Sequence, residues 1–481
     1  NIYTNQKMLL SEVSKTIDIK KILHQKSNKH FNKINSSSKE VDKKTIFIID
    51  SKKKIKKEYI DEAIKHKIPA IITNKIYHQL PLFQIVVKDI EKETQKLLTS
   101  LKPFKPINTI AITGTNGKTS VAWYISEICR LSNIKIKMQG TLGYYVNGKK
   151  TKNGSLTTPT YETLHQNGFS KFKNKYNFVF EASSHALHQN RIKKYPINIA
   201  AITNITHDHL DYHKSLLNYK NSKFKLFTRY LDKNGVAIIN SRMKYFKTLV
   251  KILKKRKIKI IMYSIKDIYI KFSNKKFFLN IYNKKFNLNK LQLSYFHKQN
   301  LECAIACCLQ LNVSPKLIVK SLKKMKSPPG RSETINLKKI SSKVIIDYAH
   351  TPDALQNILK AHTFRNKKPS LVFGCGGNRD KGKRKVMGKI AFELAEKVIV
   401  TDDNPRNENP DIMTKAVADS FDVKKIKVGR NYKNEPYMYG TFIWNYPDLA
   451  DDGKGEFIVT TINKKIFAAF FTCYRNCNDT N

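Results

Sequence analysis

A strand, a glycine-rich loop and a helix follow one another directly in the segment TIAITGTNGKTS, Thr109 to Ser120. The first half alternates β-branched and small apolar residues as a buried strand does, and Val121 to Leu131 have helical spacing. Gly114 and Gly117 allow backbone N–H groups to turn toward an anion, and Lys118 adds a positive charge near the positive end of the helix dipole. The segment therefore predicts a nucleoside triphosphate site on an α/β fold.

The loop departs from the common GxxxxGK[ST] pattern, because Ile112 stands where the first glycine of that pattern lies. The hydroxyl of Thr119 is expected to reach a magnesium ion. A glycine and lysine cluster can also be a simple turn, but the strand before it and the helix after it favour a phosphate site. The predicted ATP-binding loop comprises Gly114, Thr115, Asn116, Gly117, Lys118 and Thr119.

Net charge suggests one other class of partner. With 90 Lys and Arg against 37 Asp and Glu, the chain carries +53, as nucleic-acid-binding proteins often do. Its lysines are spread along the whole length, as in residues 51–57, and lack the clustering with arginine and aromatic residues of a dedicated binding face. We therefore expect no nucleic-acid partner, and a nucleic-acid-dependent ATPase stays a remote alternative.

Cysteine usage and hydropathy favour a cytoplasmic protein. The seven cysteines are odd in number and form no CxxC pair, which fits reduced thiols better than a disulfide framework. No apolar run is long enough to cross a bilayer, and the first residues resemble no signal peptide. We expect a monomer with no membrane partner.

Chain length and two proline-containing breaks predict three α/β domains. Residues 1–105 read as a small N-terminal α/β domain, closed by the proline-rich linker Lys102–Pro106. Residues 106–330 alternate strands and helices, as a central, mostly parallel sheet of the phosphate-loop type requires. After a second break at Ser327–Arg331, residues 331–481 read as a Rossmann-like C-terminal domain.

Polar clusters follow two strands of the predicted central sheet. Glu181 ends the strand of NFVFEASSH, and Asp208–His213, DHLDYH, follow the next apolar strand. Ligands of open α/β sheets bind beyond the carboxyl ends of the strands, so both clusters should share an edge with the phosphate loop. Glu181 and His209 could hold a divalent cation there, although capping a loop is the simpler role for such residues.

Seven motifs in order give the chain a family resemblance. The set resembles the Mur ligases, and within them those that add the third residue of the peptidoglycan stem peptide, from about residue 36 to about residue 428. The motifs are TGTNGKT, TTP at 157–159, EASSHALHQNR at 181–191, DHLDYH at 208–213, DYAHTPDAL at 347–355, FGCGGNRDKGKR at 373–384 and DDNPR at 402–406.

The resemblance implies roles for residues around ATP and magnesium. Lys118, Glu181, His209 and Lys223 match catalytic positions, and Thr119, Glu181, His209 and Lys223 match metal-associated ones. Lys223 falls where the family has a lysine carbamylated by CO2, which turns a cation into an oxygen ligand. Asn300, Arg331 and Asp347 match positions around the adenine, the γ-phosphate and the ribose.

The resemblance also implies two further substrates. UDP-N-acetylmuramoyl-L-alanyl-D-glutamate is expected to meet Ser38, Thr157, Thr158, Ser183, Gln189 and Arg191. meso-Diaminopimelate is expected to meet Arg379, Asp403, Asn404, Pro405, Arg406, Gly453 and Glu456. An arginine fork matches a carboxylate, so Arg406 favours diaminopimelate over L-lysine, which stays an alternative. A folylpolyglutamate synthase-like ligase is another alternative.

Two positions depart from the family pattern. His297 stands where the family has asparagine, and Gly453–Glu456 reads GKGE where relatives carry Gly-Lys-Gly-His-Glu. The tail after Val428, with Cys473 and Cys477, resembles no known element.

The reaction that the resemblance implies is transfer of the ATP γ-phosphate to the glutamyl carboxylate, followed by attack of an amine on the acyl phosphate.

Overall fold

A computed structural model of the chain describes residues 8–24, 29–53, 55–154, 156–173, 175–273, 276–288, 295–337, 342–363, 367–401, 403–418, 426–429 and 456–460. Gly453, Cys473 and Cys477 lie outside the described residues. Three mixed or parallel sheets, each flanked by helices, account for the architecture, with one two-stranded ribbon besides.

The part of the chain before Lys102 builds the first sheet and the two-stranded ribbon. Its strands and helices are β1 (Met8–Leu9), β2 (Lys21–Leu23), β3 (His30–Phe31), β4 (Lys33–Asn35), β5 (Thr45–Ile49), α1 (Lys57–Lys65), β6 (Ala70–Thr73), β7 (Phe83–Val86) and α2 (Ile90–Leu101), with short 3-10 helices at Leu10–Lys15 and Ser38–Glu40. The sheet order is β2-β7-β6-β5-β4, and only the β2–β7 pair is antiparallel. β1 and β3 form the ribbon.

The central sheet has eleven strands. Its elements are β8 (Thr109–Thr113), α3 (Lys118–Leu131), β9 (Ile136–Gly140), β10 (Gly143–Val146), β11 (Lys149–Lys152), α4 (Tyr161–Gly168), β12 (Asn177–Glu181), α5 (Ser184–His188), β13 (Ile197–Ile202), α6 (Leu210–His213), α7 (Leu216–Lys225), a π-helical turn (Leu226–Tyr230), β14 (Leu231–Asn240), α8 (Phe246–Lys255), β15 (Lys259–Tyr263), β16 (Ile268–Ser273), β17 (Lys276–Ile281), β18 (Lys284–Asn287), α9 (Tyr295–Gln310) and α10 (Pro315–Leu322).

The middle of this sheet is parallel and buried on both faces. β9, β12, β8, β13, β14, β15 and β16 lie side by side in that order, and every neighbouring pair among them is parallel. Along β8, Ile110 and Ile112 face the core around α3 and α9, while Ala111 faces the core shared with α4 and the N-terminal sheet. This alternation is the period of two that a strand covered on both faces shows.

The C-terminal sheet has six strands in the order β19-β20-β24-β21-β22-β23. Its elements are β19 (Glu333–Leu337), β20 (Ser342–Asp347), α11 (Pro352–Ala361), β21 (Ser370–Phe373), α12 (Gly382–Leu394), β22 (Val398–Thr401), α13 (Pro410–Ala418), β23 (Ile426–Gly429) and β24 (Glu456–Thr460). All pairs except β19–β20 are parallel. The expected Rossmann-like character is confirmed in this respect.

Several expectations can be compared with these elements. The α/β class and the mostly parallel central sheet are confirmed. Each larger sheet is built from residues of one proposed domain, although the boundaries at 105/106 and 330/331 stay predictions. The linker at 102–106 is held in place, because Phe104 pairs with Ser170 by two backbone hydrogen bonds.

The described cysteines, Cys129, Cys303, Cys307, Cys308 and Cys375, are free and buried. Among the described helices, none is both long and apolar enough to cross a membrane.

Candidate active site

The phosphate loop joins β8 to α3 as the sequence predicts. Gly117 has φ +87° and precedes α3 directly, so only a residue without Cβ adopts this turn at little cost. A Cβ on Gly117 would lie 2.2 Å from Oδ1 of Asn300. Lys118 Nζ donates to the carbonyl oxygens of Gly114 and Thr115, both at 2.8 Å. The lysine is thereby folded over the loop, where a phosphate would meet it.

Asn204, at the end of β13, fixes the backbone of this loop. Its Oδ1 accepts from the Asn116 N–H at 2.9 Å, and its carbonyl accepts from the Thr115 N–H at 3.0 Å. The Thr115 hydroxyl accepts from the Tyr219 hydroxyl of α7 at 3.1 Å. Neighbouring strand ends therefore preorganise the loop, as phosphate binding requires.

Glu181 lies at the end of β12, beside the phosphate loop. Its carboxylate accepts from the Thr119 hydroxyl at 2.9 Å and from the Thr141 N–H at 2.8 Å. Glu181 is 1% exposed, and this burial raises the pKa of its carboxyl, although Lys118 nearby opposes the change. A buried carboxylate and a hydroxyl at one point are hard oxygen donors of the kind that magnesium prefers.

The Lys223 side chain contacts the phosphate loop on the side away from the cleft. Its Nζ donates to the carbonyl oxygen of Gly114 at 2.7 Å and lies 4.4 Å from the ring centre of Tyr219. The residue is 1% exposed, and burial, with Lys118 adding repulsion, holds the pKa of the Lys223 amine well below its usual range. Lys223 does not line the cleft itself, and its side chain ends against the back of the loop.

Asp208 lies beside two histidines at the same edge of the central sheet. Its Oδ2 lies 3.3 Å from His209 Nε2 and 3.8 Å from His350 Nε2. Burial lowers the pKa of His209 to about 3 and that of His350 to about 4, so both rings are neutral near pH 7. His209 has a left-handed backbone conformation, with φ +54°, and lines the cleft.

The C-terminal sheet supplies the opposite wall. Arg331 Nη2 lies 3.5 Å from the Thr119 hydroxyl, and its guanidinium carbon is 4.2 Å from the ring centre of Tyr348. Asp347 ends β20 and accepts from the Ser332 N–H at 2.8 Å. Asn116 Nδ2 reaches across to Thr351 Oγ1 at 3.2 Å. The central and C-terminal sheets therefore meet at the phosphate loop.

The DNPR segment forms a tight loop against Gly376 and Gly377. Asp403 pairs with Gly376 in an isolated bridge, and the Gly377 N–H donates to the Asn404 carbonyl at 3.0 Å. The Arg406 guanidinium donates to the Gly377 carbonyl. A Cβ on Gly377 would lie 1.8 Å from the carbonyl oxygen of Pro405, so this close approach requires glycine.

One cleft of about 250 Å³ joins these groups. The predicted residues that line it are Thr115, Asn116, Gly117, Lys118, Thr119, Thr157, Glu181, Ser183, His209, Arg331, Asp347, Arg379, Asp403, Asn404 and Arg406. Sequence reasoning missed several other lining residues, which are Ser120, Thr141, Asp208, Asp211, Tyr348, His350, Ala354, Gly376, Asp380 and Lys383. Most of these residues belong to the motifs noted in the sequence, and that membership could have marked them as candidates for the cleft.

Other predicted residues lie behind or away from the cleft wall. The Thr158 hydroxyl donates to the Glu181 carbonyl at 2.7 Å, and Arg191 Nη1 donates to the Thr158 carbonyl at 2.5 Å. Both residues therefore stabilise the backbone near the end of β12. Gln189 Nε2 donates to the Tyr212 hydroxyl at 3.2 Å. Ser38 is distant from the cleft, and its hydroxyl donates to Glu62 of α1 at 2.6 Å.

The predicted role of Glu456 in the amino-acid site stays a prediction. It begins β24 in register with Lys343, whereas Asp347 pairs with Thr460 at the other end of the strand. Four residues of strand span about 13 Å. The register therefore places the backbone of Glu456 at the opposite end of β24 from Thr460, the residue that pairs with Asp347.

No group of three or more His, Cys, Asp and Glu converges as a metal site within the described parts of the chain. A magnesium ion held between a nucleotide and the protein does not need such a group, because phosphate oxygens and water supply most of its ligands. The oxygens of Thr119 and Glu181 fit that limited role.

The fold and cleft define an α/β nucleotide-using enzyme of the phosphate-loop class. Residues 112–314 match the family model described as the Mur ligase middle domain, and residues 330–434 match that described as the Mur ligase, glutamate ligase domain. The chain belongs to the Mur ligase family and is an ATP-dependent amide-bond-forming enzyme.

Relatives with similar sequences carry one name. The chain is 38% identical over 346 residues to the UDP-N-acetylmuramoyl-L-alanyl-D-glutamate--2,6-diaminopimelate ligase of Rickettsia bellii, covering 68% of this chain and 71% of the relative. It is 35% identical over 448 residues to the ligase of the same name from Buchnera aphidicola, covering 88% of this chain and 83% of the relative.

Solved structures agree in fold. A structure of a UDP-N-acetylmuramoyl-L-alanyl-D-glutamate--2,6-diaminopimelate ligase superposes with a TM-score of 0.58 at 26% identity, covering 95% of this chain and 93% of the other. Folylpolyglutamate synthase from Mycobacterium tuberculosis, solved with ADP and AMPPCP, gives 0.57 at 16% identity, covering 78% and 93%. The second likeness is one of fold alone.

Proposed function

We propose that this ligase adds meso-2,6-diaminopimelate to UDP-N-acetylmuramoyl-L-alanyl-D-glutamate in peptidoglycan precursor synthesis, with ATP as the energy source. The observation that carries the proposal is the single cleft lined both by the phosphate loop and by Arg379 and Arg406. Both relatives above carry the name of this reaction. All reactants are then small molecules, and we place the reaction in the cytoplasm, where ATP is available, with the enzyme acting as a monomer.

The first step forms a bond between a carboxylate oxygen of the acceptor glutamate and the γ-phosphorus of ATP. The bond from the γ-phosphorus to the bridging oxygen breaks, and ADP leaves. Two anions must approach each other, so positive charge and alignment contribute most of the rate. Lys118 from the loop and Arg331 from the opposite wall both line the cleft, where they can stabilise the transferring phosphoryl group.

The second step forms the amide. The amine of the incoming amino acid attacks the acyl carbon, loses a proton, and phosphate leaves with the electrons of the broken C–O bond. Neutral His209 and His350 flank Asp208 at the cleft wall, but pKa values of about 3 and about 4 make both rings weak bases, so the departing phosphate, a stronger base, takes up that proton.

Magnesium would be held by the Thr119 hydroxyl and the Glu181 carboxylate, with His209 nearby. It supplies charge neutralisation on the phosphate oxygens. The fit is supported by Glu181, because burial raises the pKa of its carboxyl and a bound cation would stabilise the charged form.

We infer that Lys223 is carbamylated in the active enzyme. CO2 reacts with a neutral amine, and burial together with Lys118 holds the pKa of this amine well below its usual range. The carbamate would place an oxygen ligand close to the loop that Lys223 already contacts through Gly114. Growth of a carbamate carbon signal with isotope-labelled bicarbonate in the wild type, and its absence in Lys223→Ala, tests the assignment by NMR.

The amino-acid site is proposed at Arg406 and Arg379, with Asp403 beside them. A guanidinium fork matches the distal carboxylate of diaminopimelate, which L-lysine lacks. Asp403, whose pKa is raised by burial, offers an acceptor for the amino end. Ligation assays that compare diaminopimelate, lysine and glutamate as amine donors test the proposal. A preference for lysine would move the enzyme to the lysine-adding alternative, and glutamate added to a folate would support the folylpolyglutamate synthase alternative.

Replacing Arg406 tests the carboxylate contact directly. We expect Arg406→Ala to raise the diaminopimelate KM by about 100-fold, because a charge-assisted bidentate contact contributes about 3 kcal/mol. The ATP KM should change little. Arg406→Lys keeps the charge without the fork and should recover only part of the loss, while Arg229→Ala, on an exposed residue elsewhere, serves as the control. An unchanged diaminopimelate KM in Arg406→Ala would remove the specificity argument.

A further inference from the structure

The chain that leads from the central sheet to the C-terminal sheet is fixed to α3 at Lys326. The Trp123 indole N–H donates to the Lys326 carbonyl at 2.9 Å, and the Lys326 N–H donates to a carboxylate oxygen of Glu127 at 3.4 Å. Both backbone polar groups of this residue are therefore bound by side chains of α3. We call residues 326–331 the connecting segment.

The two side chains that bind Lys326 have partners of their own. The Trp123 ring packs edge-on against Tyr145, with 5.6 Å between ring centres. Glu127 is 5% exposed, and its carboxylate accepts from Arg130 Nε at 2.8 Å. Because packing and an ion pair restrict their rotamers, these side chains offer the connecting segment a fixed point of attachment.

The connecting segment follows one face of α3. Thr119, Trp123 and Glu127 are spaced four residues apart, so they share that face, with about 6 Å of rise between neighbours. The segment runs along it in the opposite direction to the helix. It begins with Lys326 and ends with Arg331, whose Nη2 lies 3.5 Å from the Thr119 hydroxyl.

Beyond the connecting segment, the chain is fixed to the C-terminal sheet. The Ser332 N–H donates to the Asp347 carboxylate at 2.8 Å. Before that point the chain makes a turn, in which the Arg331 N–H donates to the Pro328 carbonyl at 3.2 Å and Gly330 has φ +64°. Arg331 therefore lies between an attachment to the central domain and an attachment to the C-terminal sheet, and its position depends on both.

We propose that Trp123 and Glu127 are positioning residues that place the Arg331 guanidinium on the γ-phosphate of the bound nucleotide. The inference rests on the role proposed above for Arg331 in the first step of the reaction. A cation stabilises a transferring phosphoryl group best when it is held in place before the reaction begins. ADP has no γ-phosphate, so the two side chains should contribute to the binding of a triphosphate and not to that of ADP.

Calorimetric binding of AMPPCP and of ADP, each with magnesium and without the other substrates, tests this assignment. Trp123→Phe removes the indole donor and keeps an aromatic ring beside Tyr145. We expect its Kd for AMPPCP to rise about fivefold, a change of about 1 kcal/mol, while its Kd for ADP changes less than about twofold. The matched control is Ser132→Ala, which removes a contact of 3.2 Å from α3 to Ser321 of α10 and should change neither Kd.

A double-mutant cycle shows whether Trp123 acts through Arg331. Arg331→Ala should weaken the binding of AMPPCP selectively, and adding Trp123→Phe should bring no further loss. The proposal is overturned if Trp123→Phe leaves AMPPCP binding unchanged, weakens both nucleotides equally, or adds a further loss to Arg331→Ala. Insertion of one glycine between Ser327 and Pro328 lengthens the connecting segment without touching α3. It should reproduce the selective loss, and unchanged AMPPCP binding in this variant would count equally against the proposal.

Failure of this inference can be distinguished from failure of the proposed function. Ligation of diaminopimelate by the wild type tests the proposed function and does not depend on Trp123. If Arg331→Ala binds both nucleotides as the wild type does, the assignment of Arg331 to the γ-phosphate is wrong, and the inference is wrong with it, even where ligation proceeds.

Discussion

At the scale of single residues, His165 shows how burial controls a side chain. It is fully buried in α4, stacks on Phe169 with 3.9 Å between ring centres, and has no hydrogen-bond partner at either ring nitrogen among the described residues. Burial, with Lys102 nearby, lowers the pKa of His165 to about 3. The folded protein therefore holds this imidazole neutral, whereas the unfolded chain protonates it near its ordinary pKa of 6.5.

Replacing His165 with phenylalanine should therefore make the protein less sensitive to acid. Because the pKa is lowered on folding, the wild type loses stability as the pH falls from about 6.5 toward about 3. In His165→Phe we expect the pH dependence of the unfolding free energy to weaken by up to about 1.4 kcal/mol per pH unit in that window. Urea unfolding at pH 7 and pH 5 measures it, with exposed His66→Phe as the control. Parallel pH profiles of His165→Phe and the wild type would contradict the expectation.

At the scale of elements, the β8–loop–α3 unit depends on Gly117. An alanine there meets two obstacles, a positive φ of +87° and Asn300 Oδ1 at 2.2 Å from its Cβ. We expect Gly117→Ala to raise the ATP KM at least about tenfold, because the backbone N–H groups of the loop lose their alignment on the phosphates. ATP-dependent ligation and the thermal midpoint are to be measured together.

The control for this element separates the two obstacles. Asn300→Ala in the Gly117→Ala background removes the clash and leaves the unfavourable φ, and its ATP KM is compared with that of Asn300→Ala alone, because Asn300 is itself expected near the adenine. We expect part of the loss in ATP KM to be recovered, and full recovery would show that backbone conformation has no role. Gly330→Ala, where a Cβ meets no atom within 4 Å although φ is +64°, tests the cost of a positive φ without a clash.

At the scale of the whole molecule, the cleft exists because the central and C-terminal sheets are held together. His207 Nε2 and Asp380 Oδ2 lie 2.8 Å apart across that junction, and Asn116 Nδ2 reaches Asp353 Oδ2 at 3.3 Å. Asp380 lines the cleft, so this contact connects closure to the amino-acid side of the site.

Removing the His207 side chain should weaken the contact between the central and C-terminal sheets without much effect on the stability of the fold. The pair is partly exposed at His207, with 55% of that side chain accessible, so its stability contribution is below about 1 kcal/mol. We expect His207→Ala to lower kcat/KM about fivefold with little change in the thermal midpoint. Small-angle scattering with bound ATP analogue should show a larger radius of gyration, and Lys381→Ala, on an exposed neighbour, should not. Unaltered kinetics would exclude the contact from closure.

Much of the architecture is predictable because its signals are local. Strands such as β5, β8 and β21 follow from short apolar runs, and the helix after the phosphate loop follows from its spacing. That helix begins at Lys118 rather than Val121, because Gly117 ends the loop. The antiparallel strands β16 to β18 were not predicted. Their short, lysine-interrupted segments look like loops until they pair with each other.

The sequence by itself determined the α/β class, the phosphate loop and the motifs of the family, since each depends on residues adjacent in the chain. Only the tertiary structure decided that Thr141 and His350 border the cleft and that the hydroxyl of Ser38 bonds to Glu62 of α1. The physical reason is that distance between side chains depends on sheet order and register, and these follow from packing across hundreds of residues rather than from any local pattern.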